Sequence, residues 1–124
     1  MAANKIVRIG PIALSTILTT NLLNLNVTSL AGPVGFTLTQ PYMLLRRMRI
    51  VNKTGSAATF SLWLGATGGN VAGTEVIGQG LSVAANTAFD WSGLLRMDVA
   101  DFLVGGAGTT LALVLEAEAE IGFV

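Results

Sequence analysis

The stretch Leu111-Ala-Leu-Val-Leu-Glu-Ala-Glu-Ala-Glu-Ile-Gly-Phe123 decides the fold class of this chain. Every odd-numbered residue in it is apolar, whereas Glu116, Glu118 and Glu120 occupy even positions. Because successive side chains of a β-strand point to opposite faces, the apolar residues share one face and the carboxylates the other. Ala and Glu favour helices, but a helix would scatter the three Glu around its axis. The stretch therefore predicts a half-buried β-strand.

A second alternating stretch, residues 42–64, predicts a β-hairpin. Its first arm places Tyr42, Leu44, Met48 and Ile50 on one face and Arg47, Arg49 and Lys53 on the other. Arg46 interrupts the apolar face, so it is expected near a strand end, at a bulge or in an ion pair. Asn52-Lys-Thr-Gly55 supplies the turn. The return arm directs Ala58, Phe60, Leu62 and Leu64 inward and Thr59, Ser61 and Trp63 outward.

The rest of the chain reads as short strands separated by turns. Strands are expected at residues 12–20, 74–77, 81–83, 87–91 and 94–97, with turns at Asn86-Thr87 and Ser92-Gly93. Residues 21–41 read as a long loop with a short strand near 36–39, 98–103 as one helical turn, and 105–108 as a glycine-rich lead into the last strand. This spacing predicts an all-β, antiparallel β-sandwich that is jelly-roll-like.

The N-terminal residues differ from the rest in pattern. Lys5 and Arg8 interrupt an apolar segment, and Gly10-Pro11 can redirect the chain. This pattern is typical of an extended arm or an edge strand, and we predict that residues 1–11 form an N-terminal arm that reaches a neighbouring molecule. Residues 12–124 then form a single β-sandwich domain. Deleting residues 1–9 is expected to spare folding and weaken assembly.

Composition restricts the chemistry. The 124 residues include no His and no Cys, and seven basic residues balance seven acidic ones. This excludes the commonest general base and soft nucleophile, and it predicts a protein without catalytic residues, without cofactors, and without nucleic acid or membrane partners. Hydrophobic residues make up 52% and charged residues 11%. Because isolated domains avoid large exposed apolar patches, this excess favours association with other subunits.

Two possible ligand sites have simpler explanations. Residues 68–73 are glycine-rich but lack the Gly-Lys-Ser/Thr ending of a phosphate-binding P-loop. Asp90, Asp98, Asp101 and Glu75 are the only plausible calcium ligands in the sequence. Calcium requires six to eight oxygens from a dedicated loop, so capping of a turn by Asp98 and Asp101 is favoured. No metal site is predicted.

The surface chemistry instead indicates a protein interface. Arg47 and Arg49 lie on one strand face and the three Glu on another, so the two faces are expected to meet, either within one sheet or between subunits. Trp63, on a polar face, is read as an interface residue, with a sugar-stacking platform as the alternative. The predicted interface residues are Lys5, Arg8, Arg47, Arg49, Trp63, Glu116, Glu118 and Glu120.

Three segments resemble small structural proteins of tailed bacteriophages. They are Ala13-Leu-Ser-Thr-Ile-Leu-Thr-Thr-Asn-Leu-Leu-Asn24, Arg49-Ile-Val-Asn-Lys-Thr-Gly-Ser-Ala-Ala-Thr-Phe-Ser-Leu-Trp-Leu-Gly65, and Leu81-Ser-Val-Ala-Ala-Asn-Thr-Ala-Phe-Asp-Trp-Ser-Gly-Leu-Leu95 continuing through Asp101-Phe-Leu103. The resemblance implies a virion protein made in the host cytoplasm, most plausibly a capsid decoration (cement) protein. It implies a homo-oligomer, with a trimer favoured, bound to the major capsid protein. A neck, tail or baseplate component and a carbohydrate-binding β-sandwich are the alternatives.

Overall fold

Eight β-strands make up most of the protein. The computed structural model describes residues 5–24, 41–66, 68–98, 100–110 and 112–123. The strands are β1 (Lys5–Ala13), β2 (Asn21–Leu23), β3 (Pro41–Asn52), β4 (Ala58–Gly65), β5 (Leu81–Val83), β6 (Ala88–Asp98), β7 (Phe102–Ala107) and β8 (Leu113–Phe123). Strands account for 63% of these residues and none of them is helical. Within the same ranges, no helix is long and apolar enough to cross a membrane.

Two four-stranded antiparallel sheets pack face to face. Sheet A has the order β1-β8-β3-β6 and sheet B the order β2-β7-β4-β5. Their inner faces enclose one apolar core, whose largest fully buried side chains include Phe60, Leu45, Ile50, Leu62 and Met97. The predicted all-β antiparallel sandwich is confirmed. The extended N-terminal arm is not confirmed.

Every pair of consecutive strands except β4–β5 lies in different sheets, and three of the connecting corners are neighbours. The β3–β4 corner donates a hydrogen bond from Asn52 N to Thr87 O (2.8 Å) and another from Lys53 N to Ala112 O (3.1 Å). Asn86 N in turn donates to Thr54 O at 3.0 Å. The corners that follow β3, β5 and β7 therefore lie side by side at one end of the sandwich.

The predicted hairpin of residues 42–64 is wrong in its pairing. β3 pairs with β6 and β8, whereas β4 pairs with β5 and β7 in the opposite sheet. Asn52, which is buried, explains the change of direction. Its Nδ2 donates to Ser56 O (2.8 Å) and Val83 O (3.0 Å), and its Oδ1 accepts from Thr54 N (2.9 Å). The side chain thus holds the chain in a corner that leaves sheet A.

β8 matches its prediction closely, whereas β3 matches only in part. In β8, Leu113, Leu115, Ala117, Ala119 and Ile121 are buried as expected. In β3, Met48 and Ile50 point inward, but Met43 and Leu45 are buried in place of Tyr42 and Leu44. The register of β3 shifts between Leu45 and Arg47 against both neighbours, so Arg46 lies at a bulge, one of the three alternatives expected for it, and the alternation before it is inverted.

Residues 5–13 lie in the domain as an edge strand. β1 pairs with β8 from Lys5↔Ile121 to Ala13↔Val114, and Ile9 is fully buried. Of the two alternatives for this segment, the structure shows the edge strand. Deleting residues 1–9 would remove most of that pairing, all but Ile12 and Ala13, together with the buried Ile9 side chain, so we no longer expect the deletion to spare folding.

Several predicted boundaries are wrong. Residues 14–20 are not a strand, because β1 ends at Ala13, and β2 lies inside the predicted loop. The strand expected at residues 36–39 falls outside the described residues. A turn was expected at Ser92-Gly93, but β6 continues through these residues, and its register against β3 shifts there. Gly105 and Gly106, which were expected to precede the last strand, lie within β7. Where a helical turn was expected, Asp101 N donates to Asp98 O at 3.0 Å and closes a turn just before β7. In the segment 74–77, Glu75 forms only an isolated bridge with Trp63.

Candidate functional site: a charged face on sheet A

The outer face of sheet A carries alternating columns of positive and negative charge. β8 lies between β1 and β3, so its three Glu stand between arginines on both sides. In the register, Glu118 is opposite Arg47 on one side and Arg8 on the other, and Glu116 is opposite Arg49. Directly opposite residues of an antiparallel pair have Cβ atoms about 4.5–5.5 Å apart, so these side chains are neighbours. The predicted meeting of the two charged faces is confirmed, and it occurs within one sheet.

The pairs formed by the three Glu are loose and lie at least partly exposed, since Glu116 and Glu120 are half-buried and Glu118 is exposed. Arg8 Nη2 lies 3.8 Å from Glu116 Oε1, and Arg47 Nη2 lies 4.0 Å from Glu118 Oε2. Arg46, at the bulge, places Nη1 3.7 Å from Glu120 Oε1. Exposed pairs of this kind contribute about 0.2–1 kcal/mol each, because water and salt screen them. The columns therefore influence register and partner choice more than overall stability.

The tightest pair on this face joins Arg49 to Asp90 of β6. Arg49 Nε donates to Asp90 Oδ1 at 2.7 Å and Nη2 donates to Oδ2 at 3.3 Å, which is a two-point contact. Sequence reasoning treated Asp90 as a possible calcium ligand and missed this role. Its position between Phe89 and Trp91 already indicated the outer face, but only the pairing of Arg49 with Asp90 identifies the partner.

Asp90 gives the face an acid-sensitive contact. The hydrogen bond from Arg49 lowers the pKa of the Asp90 carboxyl below its ordinary value of 3.8. A carboxyl whose pKa is depressed on folding stabilises the folded state above its unfolded pKa, and this stabilisation is lost as the pH falls through the folded value. We expect Asp90→Asn to be less stable than the wild type near neutral pH, with a deficit that shrinks toward zero in acid.

Urea unfolding of both proteins from about pH 6 to about pH 2 measures this convergence. Asp101→Asn serves as the control for removing an aspartate outside the Arg49 contact. A constant difference between wild type and Asp90→Asn across the whole range would show that ionisation of Asp90 does not stabilise the fold.

The Arg47–Glu118 pair gives a second, smaller prediction. Reversing either charge, with Arg47→Glu or Glu118→Lys, is expected to destabilise the fold slightly, because like charges then face each other. Reversing both is expected to recover part of the loss, with a coupling of about 0.2–1 kcal/mol. Chemical unfolding at low and high salt measures the coupling, which should decrease with salt. Strict additivity at low salt would mean that the two side chains do not interact.

A shallow depression lies over the middle of the charged face. Its volume is about 50 Å³, and its lining residues are Arg8, Arg47, Arg49, Glu116, Ala117 and Glu118. The lining arginines and glutamates already face one another, so the depression resembles a contact surface more than a reaction centre. Among the described residues, no group of three or more His, Cys, Asp or Glu is placed to hold a metal ion.

The other calcium candidates take part in local contacts. Asp98 N donates to Asp101 Oδ2 at 2.9 Å, and Arg96 Nε donates to Asp98 Oδ1 at 3.0 Å. This arrangement agrees with the turn-capping interpretation. Glu75 accepts a hydrogen bond from Gly73 N at 2.8 Å and so closes a turn in the loop before β5.

Trp63 does not lie on the surface, and its assignment to the interface is wrong. It faces away from the core, as the alternation predicts, but it is only 2% exposed, and its cross-strand partner Val104 is fully buried. Its neighbour Ser61 is also buried and accepts a hydrogen bond from Gly80 N at 2.8 Å. Because alternation gives the face of a strand and not what covers that face, the sequence could not reveal this burial. Trp63 Nε1 has no hydrogen-bond partner in the described part of the chain.

The remaining interface candidates stay on sheet A. Arg8, Arg47, Arg49 and the three Glu lie together on its outer face, and Lys5 begins β1 opposite Ile121. The fold and this face define the class of the protein. It is an antiparallel β-sandwich in which the charged side chains on the outer face of sheet A form ion pairs with one another. Comparison of the sequence with protein-family models and with curated proteins found no match in either set.

Proposed function

We propose that this chain is a structural protein of a bacteriophage virion, namely a capsid decoration protein that stabilises the head. In this role it binds as a small homo-oligomer at junctions between subunits of the major capsid protein. It would be made in the host cytoplasm and incorporated into the virion. The proposal includes no enzymatic activity, cofactor, nucleic-acid partner or membrane partner.

The strand order is the observation that carries the proposal. The strand orders of the two sheets are β1-β8-β3-β6 and β2-β7-β4-β5. The two members of each pair β1–β2, β7–β8, β3–β4 and β5–β6 therefore occupy the same position in the two orders. A double-sheet jelly roll has eight strands in two Greek keys, and viral capsid domains commonly use it. We propose that this sandwich is a jelly roll. Because one fold serves many functions, the order supports a virion role by analogy.

The positions of the phage-like segments add support. Residues 49–65 cover the end of β3, its corner and β4, and residues 81–95 cover β5, its corner and most of β6. β3 pairs with β6, β4 pairs with β5, and the two corners exchange the hydrogen bonds of Asn52 and Asn86. Two segments that are separate in sequence thus form one continuous two-stranded ribbon. Two of the three phage-like segments therefore belong to a single structural unit, whereas residues 13–24 lie outside it.

The alternatives differ in what supports them. A neck, tail or baseplate component uses the same kind of domain, so it remains the nearest alternative. A carbohydrate-binding role loses its main support, because Trp63 is buried and offers no face for stacking on a sugar. Trp91 packs partly against the core and offers little more. A glycan array tests the carbohydrate role directly, and we expect no specific binding.

Capsid binding tests the decoration role. The test uses capsids of a phage that encodes this chain, after the gene for the chain has been deleted from the phage. These capsids should bind the purified protein saturably in a sedimentation assay. The capsids with bound protein should withstand a higher temperature than capsids without it. Reversing charge on the outer face of sheet A, with Arg8→Glu and Arg47→Glu, is expected to weaken binding, whereas Lys53→Glu at the β3–β4 corner serves as a matched control. Absence of the wild-type protein from the capsid pellet, with unchanged capsid stability, would contradict the proposal.

A further inference from the structure

The outer edge of β6 is open. β6 ends the order of sheet A, and within the described ranges no strand pairs with its second side. Ser92, Gly93 and Leu94 are exposed in the middle of the strand. Leu94, at 72%, is the most exposed large apolar side chain in the described part of the chain. Natural sheet edges are usually short or are guarded by charged residues, Pro or bulges. β6 has 11 residues without Lys or Pro, and its charges and its register shift at Gly93 and Leu94 leave the strand long enough to pair.

The residues of β6 form a symmetric pattern around Gly93. Phe89, Trp91, Leu95 and Met97 face the core, at two and four residues on either side of the glycine. Asp90 and Arg96 face outward at three residues on either side, with opposite charges. A strand with this pattern is complementary to an antiparallel copy of itself, since each of the four inward apolar residues meets another of them and Asp90 meets Arg96.

We propose that β6 pairs with β6 of a second copy of this chain, antiparallel, around a two-fold axis at Gly93. The two sheets A then join into one continuous sheet. Asp90 of each copy lies opposite Arg96 of the other, at the Cβ distance of about 4.5–5.5 Å expected for directly opposite residues. Since Arg49 already holds Asp90 and Asp98 already contacts Arg96, the pairing links these contacts into an alternating chain of four charges.

Charge selects this register over its neighbours. Inward residues remain opposite inward residues only when the axis passes through a residue, so the nearest alternatives centre on Ser92 and Leu94. An axis at Ser92 places Asp90 opposite Leu94 and Arg96 opposite Ala88, which leaves both charges unmatched. An axis at Leu94 places Asp90 opposite Asp98, which is repulsive. Of these three registers, only the one with its axis at Gly93 pairs opposite charges.

The features at the axis fit close approach. Gly93 has no side chain, and the ring of Trp91 lies over it, since a Cβ built at Gly93 would be 3.0 Å from Trp91 Cζ2. The register shift of β6 against β3 also falls at Gly93 and Leu94, which leaves regular strand on both sides of the axis. The exposed Leu94 side chains of the two copies become diagonal neighbours on the outer face, so pairing covers the most exposed apolar group.

A two-fold contact predicts a dimer, or a larger assembly with an even number of copies, in place of the favoured trimer. The inference does not depend on a virion role, because it rests on β6 alone. A failure to bind capsids would therefore leave it standing, and a failure to dimerise through β6 would leave capsid binding standing.

Mixing two charge-reversed variants tests the pairing. We expect the wild type to form a dimer in sedimentation equilibrium. Asp90→Arg and Arg96→Asp should each weaken self-association at least about tenfold, since like charges then meet twice across the axis. A mixture of the two variants restores both opposite pairs and should form a one-to-one heterodimer. Circular dichroism of each variant alone checks that the fold is retained. A monomeric or trimeric wild type, or a mixture that associates no better than its components, would overturn the proposal.

A second pair of variants tests the edge without reversing a charge pair. Leu94→Lys should weaken the dimer, because the two lysines would lie as diagonal neighbours beside the axis. Val71→Lys is the matched control, since Val71 is 66% exposed but lies in the loop between β4 and β5. Equal dimer affinity of these two variants would place the interface elsewhere. Fluorescence of Trp91 gives an independent readout, because the ring lies near the axis and should become less exposed on pairing.

Discussion

Replacing Gly105 with alanine is expected to destabilise the protein by about 3 kcal/mol or more. Gly105 lies in the middle of β7, directly opposite Leu62 of β4, and is buried. A Cβ at this position would clash with Ser61 O and lie 3.1 Å from Leu62 Cα. Both are backbone atoms of the neighbouring strand, so no side-chain rotation relieves the clash, and β4 and β7 must separate. Urea unfolding followed by circular dichroism measures the loss.

Gly65→Ala is the matched control for this prediction. Gly65 is also a strand glycine, at the end of β4, but a Cβ there meets nothing within 4 Å. Its replacement should change the free energy of unfolding by no more than about 0.5 kcal/mol. Similar effects at the two positions would mean that the close approach of β4 and β7 at Gly105 is not present in solution.

Replacing Asn52 with alanine is the second large effect, with an expected loss of about 2–4 kcal/mol. Asn52 is 1% exposed, and its side chain hydrogen-bonds Ser56 O, Val83 O, Thr54 N and Thr54 Oγ1. Alanine removes these bonds at the corner where the chain leaves sheet A, and of the four groups Thr54 Oγ1 and Ser56 O keep a bond to each other (3.0 Å). Buried polar groups that lose their partners cost more than the hydrogen bonds themselves contribute. The midpoint of urea unfolding reports the loss.

Asn52→Asp separates the hydrogen bonds from simple loss of volume. Aspartate keeps the shape but presents an oxygen to Ser56 O and Val83 O, where Asn52 presents a donor, so it should be at least as destabilising as alanine. Asn70→Ala, at an exposed position in the loop before β5, should have almost no effect. If Asn52→Asp were as stable as the wild type, the side chain would not anchor the corner.

The faces of β8 were predictable from this sequence, whereas those of β3 before its bulge and the partners of the strands were not. Period-two alternation correctly placed Leu113, Leu115 and Ile121 inward and the three Glu outward. The same alternation gives no information on which strand lies beside which. β3 was therefore assigned to its neighbour in sequence, β4, although the buried Asn52 sends β4 into the other sheet. Short-range pairing is the default for adjacent strands, and a corner residue that overrides it has no distinct sequence pattern.

The candidate site was recovered in part for the same reason. Two columns of like charge, Arg47 with Arg49 and Glu116 with Glu118, indicated a meeting that the register of β3 and β8 provides. Asp90 was missed as the partner of Arg49, because that contact depends on the β3–β6 pairing. Trp63 was misassigned, since the sequence cannot show that the outer face of β4 is covered at this point. Residue type and alternation were therefore sufficient to predict exposure on the open outer face of sheet A, but not on the covered outer face of β4.

The proposed dimer edge relates the fold to the proposed role. A decoration protein must present a surface to its own copies and another to the capsid. The open edge of β6 and the charged outer face of sheet A are separate surfaces of one sheet. Pairing at β6 would place the charged faces of two copies side by side in one continuous sheet. A capsid junction would then meet a surface twice as wide as that of a single copy.

Cryo-electron microscopy of virions purified from a phage that encodes this chain tests the central claim most directly. We predict that the particles contain the chain, and that density on the outer head surface at junctions between capsid subunits fits the eight-stranded sandwich. Mass spectrometry of the same particles should then detect the chain in amounts that match the number of occupied junctions. Density confined to the neck, tail or baseplate would favour the alternative structural role. Absence of the chain from purified virions would contradict the account.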